Sequence, residues 1–90
     1  MIHREITVKG KVQGVFFRAT ARSVAVKLGL KGTVKNLPDG SVRIVAAGQE
    51  AAMEEFIDWC RVGPIGASVT SLDIEEGTPR HYEGFEILHG

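Results

Sequence analysis

Cysteine, charge imbalance and long apolar runs are what this chain of 90 residues has least of. Its single cysteine, Cys60, has no partner for an internal disulfide, and without paired cysteines there is no thiolate motif of a metal carrier. The 11 basic and 11 acidic side chains cancel to a formal charge of zero, which removes any bulk attraction to nucleic acid or anionic lipid. An anion site, if there is one, must be local. No aromatic residue falls within 5–12 or 41–47, so these strand-like stretches offer no stacking platform for single-stranded RNA. No stretch approaches the roughly 20 apolar residues of a spanning helix, and Met1-Ile2-His3-Arg4-Glu5 has no apolar run of the signal-peptide kind. The expectation is a cytoplasmic protein, monomeric, with neither membrane nor nucleic acid as partner. His3, His81 and His89 are far apart, with no carboxylate or cysteine pattern around them, so no metal role is expected of them.

What is present is period. Ile6, Val8 and Val12 alternate with Glu5, Thr7, Lys9 and Lys11, with Gly10 in the apolar register, which reads as a strand with one covered face. After Gln13-Gly14 the spacing becomes helical: Phe17, Ala21, Val24, Ala25 and Leu28 share a side, and Gly29 ends the run. Residues 31–37 and 41–47 read as strands joined by Pro38-Asp39-Gly40, whose fixed proline φ and permissive glycine suit a turn. Met53, Phe56, Ile57 and Cys60 form the apolar stripe of a second helix over 50–61, and a strand is expected over about 68–75. Phe85–Leu88 could add a short extra edge strand. The order is βαββαβ. Helical crossovers between parallel strands, with a hairpin between the second and third, favour an α+β, ferredoxin-like sandwich: an antiparallel sheet in order 4-1-3-2 with two helices on one face. One domain, residues 1–90, is expected, able to bury roughly 60–70% of its unfolded surface.

Two segments carry chemistry. In Val8-Lys9-Gly10-Lys11-Val12-Gln13-Gly14-Val15-Phe16-Phe17-Arg18 a strand runs into a glycine and delivers an arginine at the first turn of a helix. Gly14 lets the backbone turn, successive N–H groups can converge on one spot, and Arg18 offers a planar fork of donors for phosphate or carboxylate. A guanidinium binds charge but does not act as a base at physiological pH. Alone this is a common strand ending. In Gly32-Thr33-Val34-Lys35-Asn36-Leu37-Pro38-Asp39-Gly40-Ser41-Val42, a strand ends on Asn36, which by itself would read as a turn-initiating residue.

Together the two segments resemble the paired signatures of the acylphosphatase family. The first pattern, an apolar residue followed by x-G-x-V-Q-G-V-x-[F/M]-R, is met throughout Val8 to Arg18; the second is met at Gly32, Val34, Asn36, Gly40, Val42 and Gly48. Thr33 departs from it, where the family usually carries an aromatic; this bears on packing rather than on a reacting group. The resemblance implies hydrolysis of small carboxyl-phosphate anhydrides, without metal or cofactor. Gly14, Val15, Phe16, Phe17 and Arg18 would bind the phosphate, and Arg18 and Asn36 would be the catalytic pair. At least one of Phe16 and Phe17 should pack beneath the loop. Lys9, Lys11, Lys31 and Lys35 either line the cleft or serve solubility. The rival reading is a phosphate-sensing module that binds without turnover.

Overall fold

Strand β1 (Ile2–Lys11) supplies the centre of the molecule because Ile6 and Val8 are fully buried on one face. In the computed structural model, which describes Met1 to His89, it is followed by α1 (Phe17–Lys27), β2 (Lys31–Asn36), β3 (Val42–Gly48), α2 (Glu50–Val62), β4 (Ser68–Glu76) and β5 (Phe85–Leu88). The five strands form one sheet in the order β4-β1-β3-β2-β5. The expected 4-1-3-2 core is therefore present, and the Phe85–Leu88 strand extends it beyond β2. This last pairing departs from an all-antiparallel sheet, because β5 runs parallel to β2, with Gly32 opposite Phe85 and Lys35 opposite Leu88. The Nε of Arg22 on α1 donates to the Phe85 carbonyl at 2.8 Å and fastens the start of that strand.

β1 begins three residues before the expected Glu5. Ile2, His3 and Arg4 pair with Gly48, Ala47 and Ala46, a ladder made by backbone groups that no apolar alternation announces. At the other end, a bulge between Lys9 and Gly10 shifts the register against β4. Gly10 has φ 124°, and a Cβ there would collide with the Ser68 carbonyl. Only glycine fits.

Ile6, Val8, Val34, Val42, Ile44 and Ala46 from the sheet join Phe17, Ala21 and Ala25 of α1 and Met53, Phe56 and Cys60 of α2 in one core. The expected stripes are these, so both helices cover the same face. Trp59 bridges them: its ring centroid lies 5.3 Å from Phe17 and 6.2 Å from Phe56. Such aromatic pairs contribute about 0.5–1.5 kcal/mol beyond their buried area. The opposite face of the sheet is polar, with ion pairs from Lys9 to Asp73 at 3.0 Å and from Arg43 to Glu5. Thr33 also faces this side, sharing a shallow groove with Val45 and Tyr82 away from Arg18. No helix is long and apolar enough to cross a membrane among the described residues.

Candidate functional site

The topology brings the two motifs together. β1 and β2 are both antiparallel to β3, which lies between them, so they run parallel and their C-terminal ends lie at the same edge. Val42 is opposite Val8 on one side and Asn36 on the other. Hence the loop leaving β1 and the residue ending β2 flank the start of one strand. A cleft of about 450 Å³ opens there, lined by Val12, Gln13, Gly14, Phe16, Phe17, Arg18, Asn36, Ile87 and His89 among others.

The loop of residues 12–16 turns sharply into α1. Gly14 has φ 75°, and no atom lies within 4 Å of where its Cβ would be, so its need for glycine is one of backbone and not of space. Phe16, at the N-cap of α1, is left-handed as well (φ 61°, ψ 26°) and makes no side-chain capping bond. Among the described residues, none of the backbone N–H groups from Gly14 to Arg18 finds a protein acceptor. Consecutive N–H groups left free at a helix N-terminus form a concave, partly positive site. Arg18, in the first turn of α1, adds a full positive charge to it.

Asn36 enters the cleft from the other wall. Among the described residues its buried Oδ1 has no hydrogen-bond partner, a condition that in general costs about 1–3 kcal/mol. The hairpin beyond it is held tightly. The Asp39 carboxylate accepts from the Ser41 N–H at 2.9 Å and from the Ser41 hydroxyl, and these hydrogen bonds hold its pKa below the ordinary 3.8.

Two cleft residues were not singled out by the sequence. Gln13 lies in the motif, but its task is visible only in three dimensions: its Nε2 donates to the carbonyls of Leu37 and Ser41, at 2.8 and 2.9 Å. The loop that bears Arg18 is thereby tied to the turn that follows Asn36. His89, for which no metal role was expected, stands with its Nδ1 3.4 Å from Nη1 of Arg18. The parallel pairing of β5 brings it there.

Of the expected site residues, Gly14, Phe16, Phe17, Arg18 and Asn36 line the cleft, whereas Val15 does not. The Val15 side chain turns toward Gly66 instead, leaving only its backbone in the loop. Phe17 is the ring that packs beneath, at 2% exposure, while Phe16 stands out at 83%. Lys9, Lys11, Lys31 and Lys35 are absent from the lining; Lys9 is paired with Asp73 on the open face. Among the described residues no group of three or more histidine, cysteine, aspartate or glutamate side chains is placed to hold a metal ion.

Comparison with known proteins bears on the family. The acylphosphatase family model matches residues 4–87. The chain is 45% identical over 89 residues to an acylphosphatase of Archaeoglobus fulgidus, covering 99% of this chain and 100% of that protein. It is 49% identical over 85 residues to one from Thermotoga maritima, covering 94% of each. The crystal structure of acylphosphatase from Bacillus subtilis superimposes with a TM-score of 0.94 at 36% identity, covering 98% of this chain and 99% of that one. With the family's two signatures meeting in a single cleft, the chain belongs to the acylphosphatase family and is a hydrolase acting on small acyl phosphates.

Proposed function

We propose that Arg18 and the N–H groups of Gly14 to Arg18 hold the phosphoryl oxygens while Asn36 aims the attacking water at phosphorus, without metal or cofactor. The observation that carries this reading is the run of unpartnered loop N–H groups beside Arg18, in a cleft that Asn36 also lines. Phosphoryl transfer passes through a loose transition state that asks mainly for orientation and charge stabilisation. Arg18 and the start of α1 supply the charge. The carboxamide of Asn36 cannot remove a proton, but its oxygen can accept a hydrogen bond from water and so fix the direction of attack. The water oxygen bonds to phosphorus, the bond from phosphorus to the carboxyl oxygen breaks, and the carboxylate departs with that electron pair. The proton of the water passes to a phosphate oxygen of the substrate. A carboxylate is stable unprotonated, so no side-chain acid is needed at the leaving oxygen. Residues 1–90 act as one domain, as a cytoplasmic monomer without a nucleic-acid partner.

The test is hydrolysis of benzoyl phosphate and phenyl phosphate side by side, with chelator present. Turnover of the anhydride with poor turnover of the monoester is expected, since an alkoxide or phenoxide leaves less readily without an acid. Binding of inorganic phosphate with no hydrolysis of benzoyl phosphate would overturn the mechanism.

A further inference from the structure

The phosphoryl group accounts for one end of the cleft only. At about 450 Å³, the cleft falls in the range that accommodates a whole small organic ligand, well beyond a phosphate. With the anion placed at Arg18 and the loop N–H groups, the acyl substituent must lie on the rest of the lining. There the side chains are Phe16 and Ile87, with Val12 and Phe17 beneath. Among the described residues no acidic side chain and no lysine lines the cleft; its polar side chains are Gln13, Arg18, Asn36 and His89, with His89 standing beside Arg18 at the phosphate end.

Phe16 is the telling residue. Left-handed backbone is unfavourable for a bulky side chain and is better suited to glycine or asparagine, yet the N-cap of α1 carries phenylalanine with φ 61°. That conformation sends the two adjacent rings in opposite directions. Phe17 goes into the core against Trp59, and Phe16 goes to the cleft wall, 83% exposed. The ring gains little from the fold in that position. Both the strained backbone and the exposed ring occur at the mouth of the phosphate cradle, where a flat apolar face would meet the group attached to the phosphate.

We infer that Phe16 is the acyl-binding platform of this enzyme, and that with Ile87 it selects acyl phosphates whose acyl group is apolar and planar, such as an aromatic carboxylate, over small ones. The inference rests on the phosphate orientation proposed above. Because the contact is made with a part of the substrate that does not react, it acts on binding in ground state and transition state alike.

The experiment measures equilibrium binding of benzoylphosphonate and acetylphosphonate by calorimetry, analogues in which a carbon–phosphorus bond prevents hydrolysis. Wild type should bind the benzoyl compound more tightly by about fivefold, the scale of a single aromatic contact. Phe16→Asn, which tolerates the left-handed backbone while removing the ring, should reduce that preference to within about twofold, and Phe16→Tyr should keep it. A preference that survives Phe16→Asn, is lost equally in Phe16→Tyr, or is absent from wild type overturns the inference. So does failure of either analogue to bind. Turnover of benzoyl and acetyl phosphate by wild type is followed separately. An intact binding preference without turnover would strike the hydrolytic mechanism and leave the platform standing; turnover without the preference would do the reverse.

Discussion

Removing the amide of Gln13 is the most informative perturbation away from the reacting groups. Its Nε2 spans from the phosphate loop to the Leu37 and Ser41 carbonyls, and Gln13→Met retains length and volume while deleting both donors. Neither carbonyl is orphaned by the change. Leu37 O still accepts from the Gly40 N–H at 3.1 Å, and Ser41 O from the Leu37 N–H at 2.8 Å. The loss is therefore that of two ordinary hydrogen bonds, about 1–2 kcal/mol in all, without the penalty of a buried unpaired acceptor. For a domain of this size that lowers Tm by about 5–10 °C. The kinetic effect should be specific. Asn36 remains in the β2 ladder opposite Val42, so it is loosened rather than released, and kcat should fall about tenfold, below the roughly hundredfold that a misplacement near 1 Å can cause. Inhibition by inorganic phosphate, which reports Arg18 and the loop N–H groups, should change less than about threefold. Steady-state kinetics on benzoyl phosphate with a thermal melt give all three values. A Tm that falls as expected while kcat stays within about twofold of wild type would refute the claim that this bridge aligns the two halves of the site.

Cys60 is fully buried, and burial pushes its thiol up to about 12; the native protein should resist a thiol-specific disulfide reagent at pH 8 and react only on unfolding, whereas rapid native-state labelling would contradict the packing of α2. Asp39, its pKa lowered by Ser41, stabilises the hairpin fully above the ordinary aspartate range, and this contribution is lost as pH falls through the depressed value. Urea melts of wild type and Asp39→Ala should accordingly diverge at neutral pH and converge in acid; a constant difference between them would remove the carboxylate from that role.

The apolar alternation of Ile6, Val8 and Val12 and the helical stripe of Met53, Phe56 and Cys60 made the sheet and its covered face legible from the sequence, because burial on one face imposes a period. The hairpin was legible from Pro38-Asp39-Gly40, and the cleft from the joint presence of Arg18 and Asn36. Other features had no local signal. The Gln13 amide reaches partners 24 and 28 residues away, a pairing no short pattern encodes. The helical spacing put Phe17 on the covered side of α1, but no local pattern announced the left-handed torsion at Phe16, whose ring is left in solvent. The parallel direction of β5, which places Ile87 and His89 at the cleft, follows from where the 77–84 loop delivers the chain and not from the composition of Phe85–Leu88.

The central claim is that a guanidinium and a carboxamide divide the work, one holding the phosphate and the other aiming water. Its most direct test is the hydrolysis of benzoyl phosphate by Arg18→Ala and Asn36→Ala, each with the inhibition constant for inorganic phosphate. Arg18→Ala should lower kcat/KM by at least about a hundredfold and weaken phosphate binding, while Asn36→Ala should depress kcat and leave phosphate inhibition within about threefold of wild type. Activity of Arg18→Ala within about threefold of wild type, or loss of phosphate inhibition together with turnover in Asn36→Ala, would contradict that division.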